Sequence, residues 1–161
     1  MSNELVINST QNGCRIALLN DRRLIEFHQE DGGIQFNVGD IYLGTVRKVV
    51  QGLNAGFIDI GYEKDAFLHY LDLGPQVQSL NRFTKLIQNK KEISTKLVGF
   101  RNETDIDKFG KIGQVLTKNQ NVLVQVVKEP ISTKGPRLSC ELSIAGRYLV
   151  CLLYTSPSPR D

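Results

Sequence analysis

The chain has 161 residues, 40% of them hydrophobic and 23% charged, which suits one globular domain or slightly more and argues against disorder. No apolar run approaches the roughly 18 residues that a membrane span requires, and the first residues lack a signal-peptide pattern, so we expect a cytoplasmic protein. Three cysteines without a CxxC pair, and only two histidines, argue against a disulfide framework or a zinc site. The net charge of +3 is compatible with a nucleic-acid partner but does not establish one.

Three β-like segments begin the chain. They alternate apolar and polar residues or are rich in aliphatic residues, and NG and ND turn signals separate them: ELVINS (4–9), CRIALL (14–19) and RRLIEFHQ (22–29). This pattern predicts a meander of short antiparallel strands.

A second series of five short strands follows a turn-rich connector. Its members are IYLGTVRKVV (41–50), AGFIDI (55–60), DAFLHY (65–70), NVLVQVVKE (121–129) and PRLSCEL (136–142). Five such strands with glycines at the bends predict a mainly β protein built on a small Greek-key barrel of the OB type. Gly44 interrupts a strong strand, which indicates a tight bend or a close backbone approach.

A long insertion, about residues 74–118, separates the third and fourth barrel strands. We expect a short helix near residues 80–88, followed by a basic, flexible loop. The segment DIDKFGKI, residues 105–112, has a superficial similarity to a calcium-binding loop. It lacks the glutamate at the twelfth position of such a loop, so the sequence predicts a solvated loop there instead.

Two segments together suggest a family. GDIYLGTVRKVVQGLNAGFIDIGYEKDAFLHYLDL and VQVVKEPISTKGPRLSCELSIAGRYLV resemble the S1 domain of the bacterial ribonuclease E/G family. ELVINSTQNGCRIALLNDRRLIEFH is similar to the opening strands of that family, which belong to a ribonuclease H-like subdomain that the barrel interrupts. The resemblance covers roughly residues 4–150.

The resemblance implies a division of the chain into parts. Residues 1–36 would be the first part of a split ribonuclease H-like subdomain, residues 37–142 the S1-like barrel with its insertion, and residues 143–150 a return to the split subdomain. Residues 151–161 change abruptly to small polar residues and prolines, which indicates a non-native tail.

The resemblance also implies a function for the parent protein. That function is magnesium-dependent endonucleolytic cleavage of single-stranded, often A/U-rich RNA during ribosomal and messenger RNA processing. The family's catalytic domain has paired metal-binding aspartates, some members hold a structural zinc ion between subunits, and the full-length parent could oligomerise. No acidic pair in this sequence matches those aspartates, so we assign no catalytic residue, metal ligand or cofactor to this chain and expect single-stranded RNA as its partner.

Two aromatic residues are the first candidates for RNA contact, because single-stranded RNA stacks its bases on aromatic rings. Phe57 alternates with Asp59, and isoleucines occupy the other face of that strand, so Phe57 is expected to point away from the core. For Phe67 the neighbours are apolar on both sides, and burial of both rings in the core is the alternative. The resemblance matches Phe57 and Phe67 to RNA-contacting aromatics of the family.

Cations beside these rings are the next candidates. The resemblance matches Lys134, in the STKGP turn, to a lysine of the family's RNA-binding loop, and Lys128 lies just before that loop. His69 could stack on a further base or cap the barrel rim. A basic track could be extended by Arg47, Lys48 and Arg137, although charges on an exposed strand face are usually only solvated.

Other interpretations compete with RNA binding. His28 with Glu26 and Glu30 at alternate positions could form a metal or acid–base site, but such a strand face is more often simply solvated. At the level of the whole chain, the alternatives are a free-standing OB-fold RNA-binding adaptor and a protein-interaction barrel. The similarity of the opening strands and of SIAGRYLV to halves of one divided subdomain disfavours the adaptor, and the protein-interaction barrel stays an alternative.

Overall fold

The computed structural model describes residues 2–10, 12–32, 36–89 and 100–146, together with the backbone of residues 150–152. The chain divides into two compact units, Met1–Gln35 and Phe36–Asp161. The division into a split subdomain and an inserted barrel stays a prediction, as does the non-native tail, of which residues 153–161 lie outside the described ranges.

The first unit is a three-stranded antiparallel sheet. Its strands, β1 (Asn3–Thr10), β2 (Gly13–Asn20) and β3 (Arg23–Asp31), lie in sequence order, as expected when short turns join strands of alternating pattern. The predicted meander is therefore confirmed.

The second unit contains a closed barrel. Strands β4 (Ile41–Val50), β5 (Ala55–Asp59) and β6 (Ala66–His69) precede helix α1 (Val77–Gln88), and β7 (Asn121–Lys128) and β8 (Arg137–Ser139) follow it. The barrel closes in the order β4-β5-β6-β8-β7, with only the β6–β8 pairing parallel. Beyond the barrel, β9 (Ser143–Ala145) pairs with β10 (Val150–Leu152). The predicted mainly β, OB-type barrel is confirmed.

The barrel core is made by the inward-facing residues of the alternating strands. Val46, Ile58, Leu68 and Leu138 are all fully buried. Gly44 lies against this core, because a Cβ atom there would be 2.5 Å from the Cγ2 atom of Ile58. The close approach predicted at Gly44 is therefore present, and any side chain at this position would displace a core residue.

The insertion between β6 and β7 is more structured than the sequence predicted. Helix α1 confirms the expected helix and begins three residues earlier than predicted, while residues 90–99, where the flexible loop was predicted, lie outside the described ranges. The prediction of a solvated loop over residues 105–112 is wrong at its end, because Ile112 is fully buried in the barrel core and Leu116 follows it there. The Asn54 side chain holds this segment, since its Nδ2 donates to the Gly110 carbonyl (3.1 Å) and its Oδ1 accepts from the Ile112 N–H (2.7 Å).

Candidate nucleic-acid interface

Five of the predicted RNA-binding residues lie in register across the barrel. The successive Cα partners on β4, β5, β6, β8 and β7 are Lys48, Phe57, Phe67, Arg137 and Lys128. Residues that face each other in paired strands project from the same side of the sheet, so these five form a row, called the central row below. In this row the two phenylalanine rings have Lys48 on one side and Arg137 followed by Lys128 on the other.

A bulge in β4 turns Lys48 into this row. Val46 pairs with Ile58 inside the barrel, but the next pair joins Lys48 to Phe57, so Arg47 is an extra residue in β4. Strict alternation from the buried Val46 would have pointed Lys48 into the core. The bulge reverses the alternation, and Lys48 is exposed beside Phe57.

A second bulge acts in the same way at the other end of the row. Val126 pairs with Leu138 inside the barrel, whereas the next pair joins Lys128 to Arg137, leaving Val127 as the extra residue in β7. Lys128 is exposed, although alternation from the buried Val126 would have placed it inside. Both flanking lysines therefore depend on a bulge for their position.

The two rings at the centre of the row contact each other. The ring centroids of Phe57 and Phe67 are 5.8 Å apart, with 73° between the ring planes, which is an edge-to-face arrangement. Both residues are half-buried, whereas their neighbours Ile58 and Ala66 are completely buried. The alternation argument for Phe57 is thus confirmed, and Phe67 shares its face.

His69 extends the ring cluster along β6 and also caps the turn that follows this strand. Its ring centroid is 6.4 Å from that of Phe67. Its Nδ1 accepts a hydrogen bond from the Leu71 N–H (3.1 Å), which caps the 3₁₀ turn Tyr70–Asp72. The two roles predicted for this side chain, base stacking and capping of the barrel rim, stay predictions, and its ring lies beside the aromatic pair.

An open groove of about 740 Å³ joins the rings to the loop between β7 and β8. Five predicted residues line it: Phe57, Phe67, Lys128, Lys134 and Arg137. Lys64 lines it as well and was not predicted. In the sequence, only its position just before β6 could have indicated a role. The hydrogen bond that places it in the groove is made to Ser132, which is 68 residues away along the chain.

The loop that carries Lys134 is held against the start of β6. The Lys64 ammonium donates to the Ser132 carbonyl, and the Phe67 N–H donates to the Pro136 carbonyl (2.8 Å). Gly135 is packed so closely that a Cβ atom there would lie 2.3 Å from the carbonyl oxygen of Asp65, which directly precedes β6. The groove therefore has a fixed second wall with Lys134 exposed on it.

Both arginines of the predicted set are paired with acids. Arg137 binds Asp72 through two nitrogens, with an Nη2–Oδ2 distance of 2.9 Å and an Nε–Oδ2 distance of 3.1 Å. Arg47 binds Asp59 on the outer barrel face. The pKa of the Asp59 carboxyl lies below its usual value, first because the Gly61 N–H donates to it (2.9 Å) and second because of the Arg47 guanidinium.

The lysines of the set differ from the arginines. Within the described ranges, no ion pair involves Lys48, Lys128 or Lys134. The positive charges of these three lysines are therefore available to an anionic ligand around the rings. Each arginine would instead have to bind the ligand while it is already paired with a carboxylate.

No protein-family model matches the chain. It is 35% identical over 147 residues to ribonuclease G of Haemophilus influenzae and 33% identical over 150 residues to ribonuclease G of Escherichia coli, covering 91% and 93% of this chain and 26% and 27% of those proteins. Ribonuclease E of Synechocystis is 39% identical over 118 residues, which are 73% of this chain and 14% of that protein.

The chain belongs to the ribonuclease E/G family. It spans about a quarter of the length of the ribonuclease G relatives it matches.

In this ribonuclease E/G family chain, the alternative site considered around His28 contains an ion pair. His28 and Glu26 form an exposed pair on β3 with an Nε2–Oε1 distance of 2.8 Å. The part of the chain that the structure describes contains no group of three or more His, Cys, Asp or Glu side chains placed to hold a metal ion.

Cys140 is buried, and this burial raises the pKa of its thiol to about 12. Of the helices in the described ranges, none has the length and apolar character needed to span a bilayer.

Proposed function

We propose that this chain is the single-stranded RNA-binding module of a ribonuclease E/G-type endoribonuclease that acts in ribosomal and messenger RNA processing and decay in the cytoplasm. The observation that carries the proposal is the central row, in which two contacting rings lie between exposed Lys48 on β4 and the cations of β8 and β7. Family membership supports RNA as the ligand class. In this proposal the module binds substrate, and cleavage belongs to the parent protein.

The chemistry of the row suits a single strand. Unpaired bases stack on aromatic faces in a sequence-tolerant way, while cations follow the phosphates. Phe57 and Phe67 supply the stacking surface. Because the arginines are engaged by carboxylates, we assign the phosphate contacts first to Lys48, Lys128 and Lys134. Three such contacts on a single strand give a slope of about −2 in a plot of log affinity against log salt concentration.

Magnesium-dependent cleavage is proposed for the parent protein only. The described residues lack a cluster of carboxylate and imidazole groups that fits a metal ion, so no cleavage step is assigned to them. The structural zinc ion and the oligomerisation implied by the family resemblance are likewise proposals about the parent protein.

The test is fluorescence anisotropy with a labelled single-stranded RNA of about 12 nucleotides at several salt concentrations. Lys134→Ala should weaken binding and reduce the salt slope by about 0.7. Lys85→Ala is the matched control, because it removes the same charge from an exposed position on α1. Binding that is undetectable or independent of salt, measured on folded protein, would contradict the proposal and favour a protein-interaction barrel.

A further inference from the structure

Phe109 is the most exposed large apolar side chain in the described part of the chain. It is 90% exposed, whereas no other large apolar residue there exceeds 63%. It lies in the segment DIDKFGKI, residues 105–112, which was interpreted as a loop and has no assigned function. The ring therefore offers an uncovered aromatic surface on which a base could stack.

The turn that displays Phe109 is held firmly to the barrel. The Tyr70 hydroxyl donates to the Asp107 carbonyl, and the Asn54 Nδ2 donates to the Gly110 carbonyl (3.1 Å). Gly110 closes the turn by donating to the Asp107 carbonyl (3.1 Å), and a Cβ atom at Gly110 would lie 2.1 Å from the Tyr70 hydroxyl oxygen. The ring is therefore presented on a fixed turn, which lowers the entropic cost of binding something to it.

The two residues that hold this turn are continuous with the ring cluster. Asn54 directly precedes Ala55, whose Cα partner is His69, and Tyr70 directly follows His69. The imidazole of His69 in turn lies 6.4 Å from the Phe67 ring. The turn is thus attached to the barrel at the start of β5 and the end of β6, beside His69, where the aromatic cluster ends.

The charges around Phe109 identify the kind of contact it would make. Exposed Lys108 and Lys111 flank it, and neither belongs to an ion pair within the described ranges. Asp105 and Asp107 offset them, so the segment has little net charge and the ring itself must be the recognising group. Lysine is depleted in protein–protein interfaces, and a single ring is not an apolar patch, which favours a nucleobase over a protein surface.

We propose that Phe109 is an outlying stacking site for a base of the RNA strand that occupies the central row. This inference rests on the proposed function, because it requires a single strand on the row that continues past His69. A strand long enough to pass the end of β6 reaches Phe109, and a short one bound on the row does not. Because the contact is made by a ring in a segment of balanced charge, its contribution is insensitive to salt.

A tryptophan probe tests the contact directly, because the chain contains no tryptophan. In a Phe109→Trp variant, a single-stranded RNA of about 12 nucleotides should quench the indole emission, and one of about 4 nucleotides should not. Phe27→Trp is the matched control, since Phe27 is also an exposed ring (52%) but lies on β3 of the first unit. Its emission should not respond to either RNA.

Affinities separate this inference from the proposed function. Phe109→Ala should weaken the long RNA roughly tenfold without changing the salt slope and leave the short one within about twofold, and Phe109→Leu should behave in the same way. Phe57→Ala should weaken both RNAs. If Phe57→Ala weakens both while Phe109→Ala or Phe109→Leu binds the long RNA like wild type, Phe109 does not stack and the proposed function stands. If the wild-type chain binds neither RNA, the proposed function fails and this inference fails with it.

Discussion

The contacting rings of Phe57 and Phe67 allow a quantitative prediction about RNA affinity. Stacking on one aromatic side chain contributes about 1–3 kcal/mol per base, so replacing either ring by alanine should weaken binding roughly tenfold. The rings are in register and edge to face with centroids 5.8 Å apart, so each ring also orients the other. Such pairs contribute about 0.5–1.5 kcal/mol beyond area burial. The double variant should therefore lose less affinity than the two single losses combined, by an amount of that order.

The assay is a double-mutant cycle on dissociation constants from fluorescence anisotropy at one fixed salt concentration. Thermal unfolding of each variant provides the control, and we expect cooperative unfolding in all three, because both rings lie outside the fully buried core. Single variants that unfold normally and bind within about twofold of wild type would refute the stacking role. Full additivity in the cycle would refute the claim that the two rings act as a unit.

Three further predictions concern other parts of the chain. Gly135→Ala should displace the Lys134 loop, because its Cβ atom would lie 2.3 Å from backbone, and should lower both RNA affinity and the midpoint of thermal unfolding. The depressed pKa of Asp59 contributes stability that is present above the unfolded value of about 4 and is lost as the pH falls through the folded value. Asp59→Asn should therefore flatten the acid side of a plot of urea midpoint against pH. In native protein at about pH 8, iodoacetamide should modify the partly exposed Cys14 while buried Cys140 stays unmodified until denaturant is added, and mass spectrometry of the peptides would reveal the opposite order.

Much of the barrel could be predicted because its information is local. Alternation around Ile58 assigned inside and outside faces to β5, and the five predicted strands correspond to β4 to β8 within a few residues. Gly44 could be interpreted because a missing side chain within a strong strand has few structural explanations. The outward direction of Phe57 followed from the same local pattern.

The remainder depended on tertiary structure. The outward position of Lys48 and Lys128 requires two bulges, and a bulge is invisible to an argument from strict alternation. The engagement of Arg137 by Asp72 joins residues 65 apart in the chain, so no local pattern could reveal that this arginine is already paired. The burial of Ile112 likewise depends on a distant residue, the Asn54 side chain, to which its N–H donates.

The central claim is that single-stranded RNA occupies the central row, and an NMR titration tests it most directly. Isotope-labelled chain would be titrated with an RNA of about 12 nucleotides while the backbone amide shifts are followed. We predict that the amide chemical shifts of Phe57, Phe67 and Lys134 change during the titration, while those of β1 to β3 stay the same. Saturable binding that leaves the amides of β5, β6 and the Lys134 loop unperturbed would contradict the account.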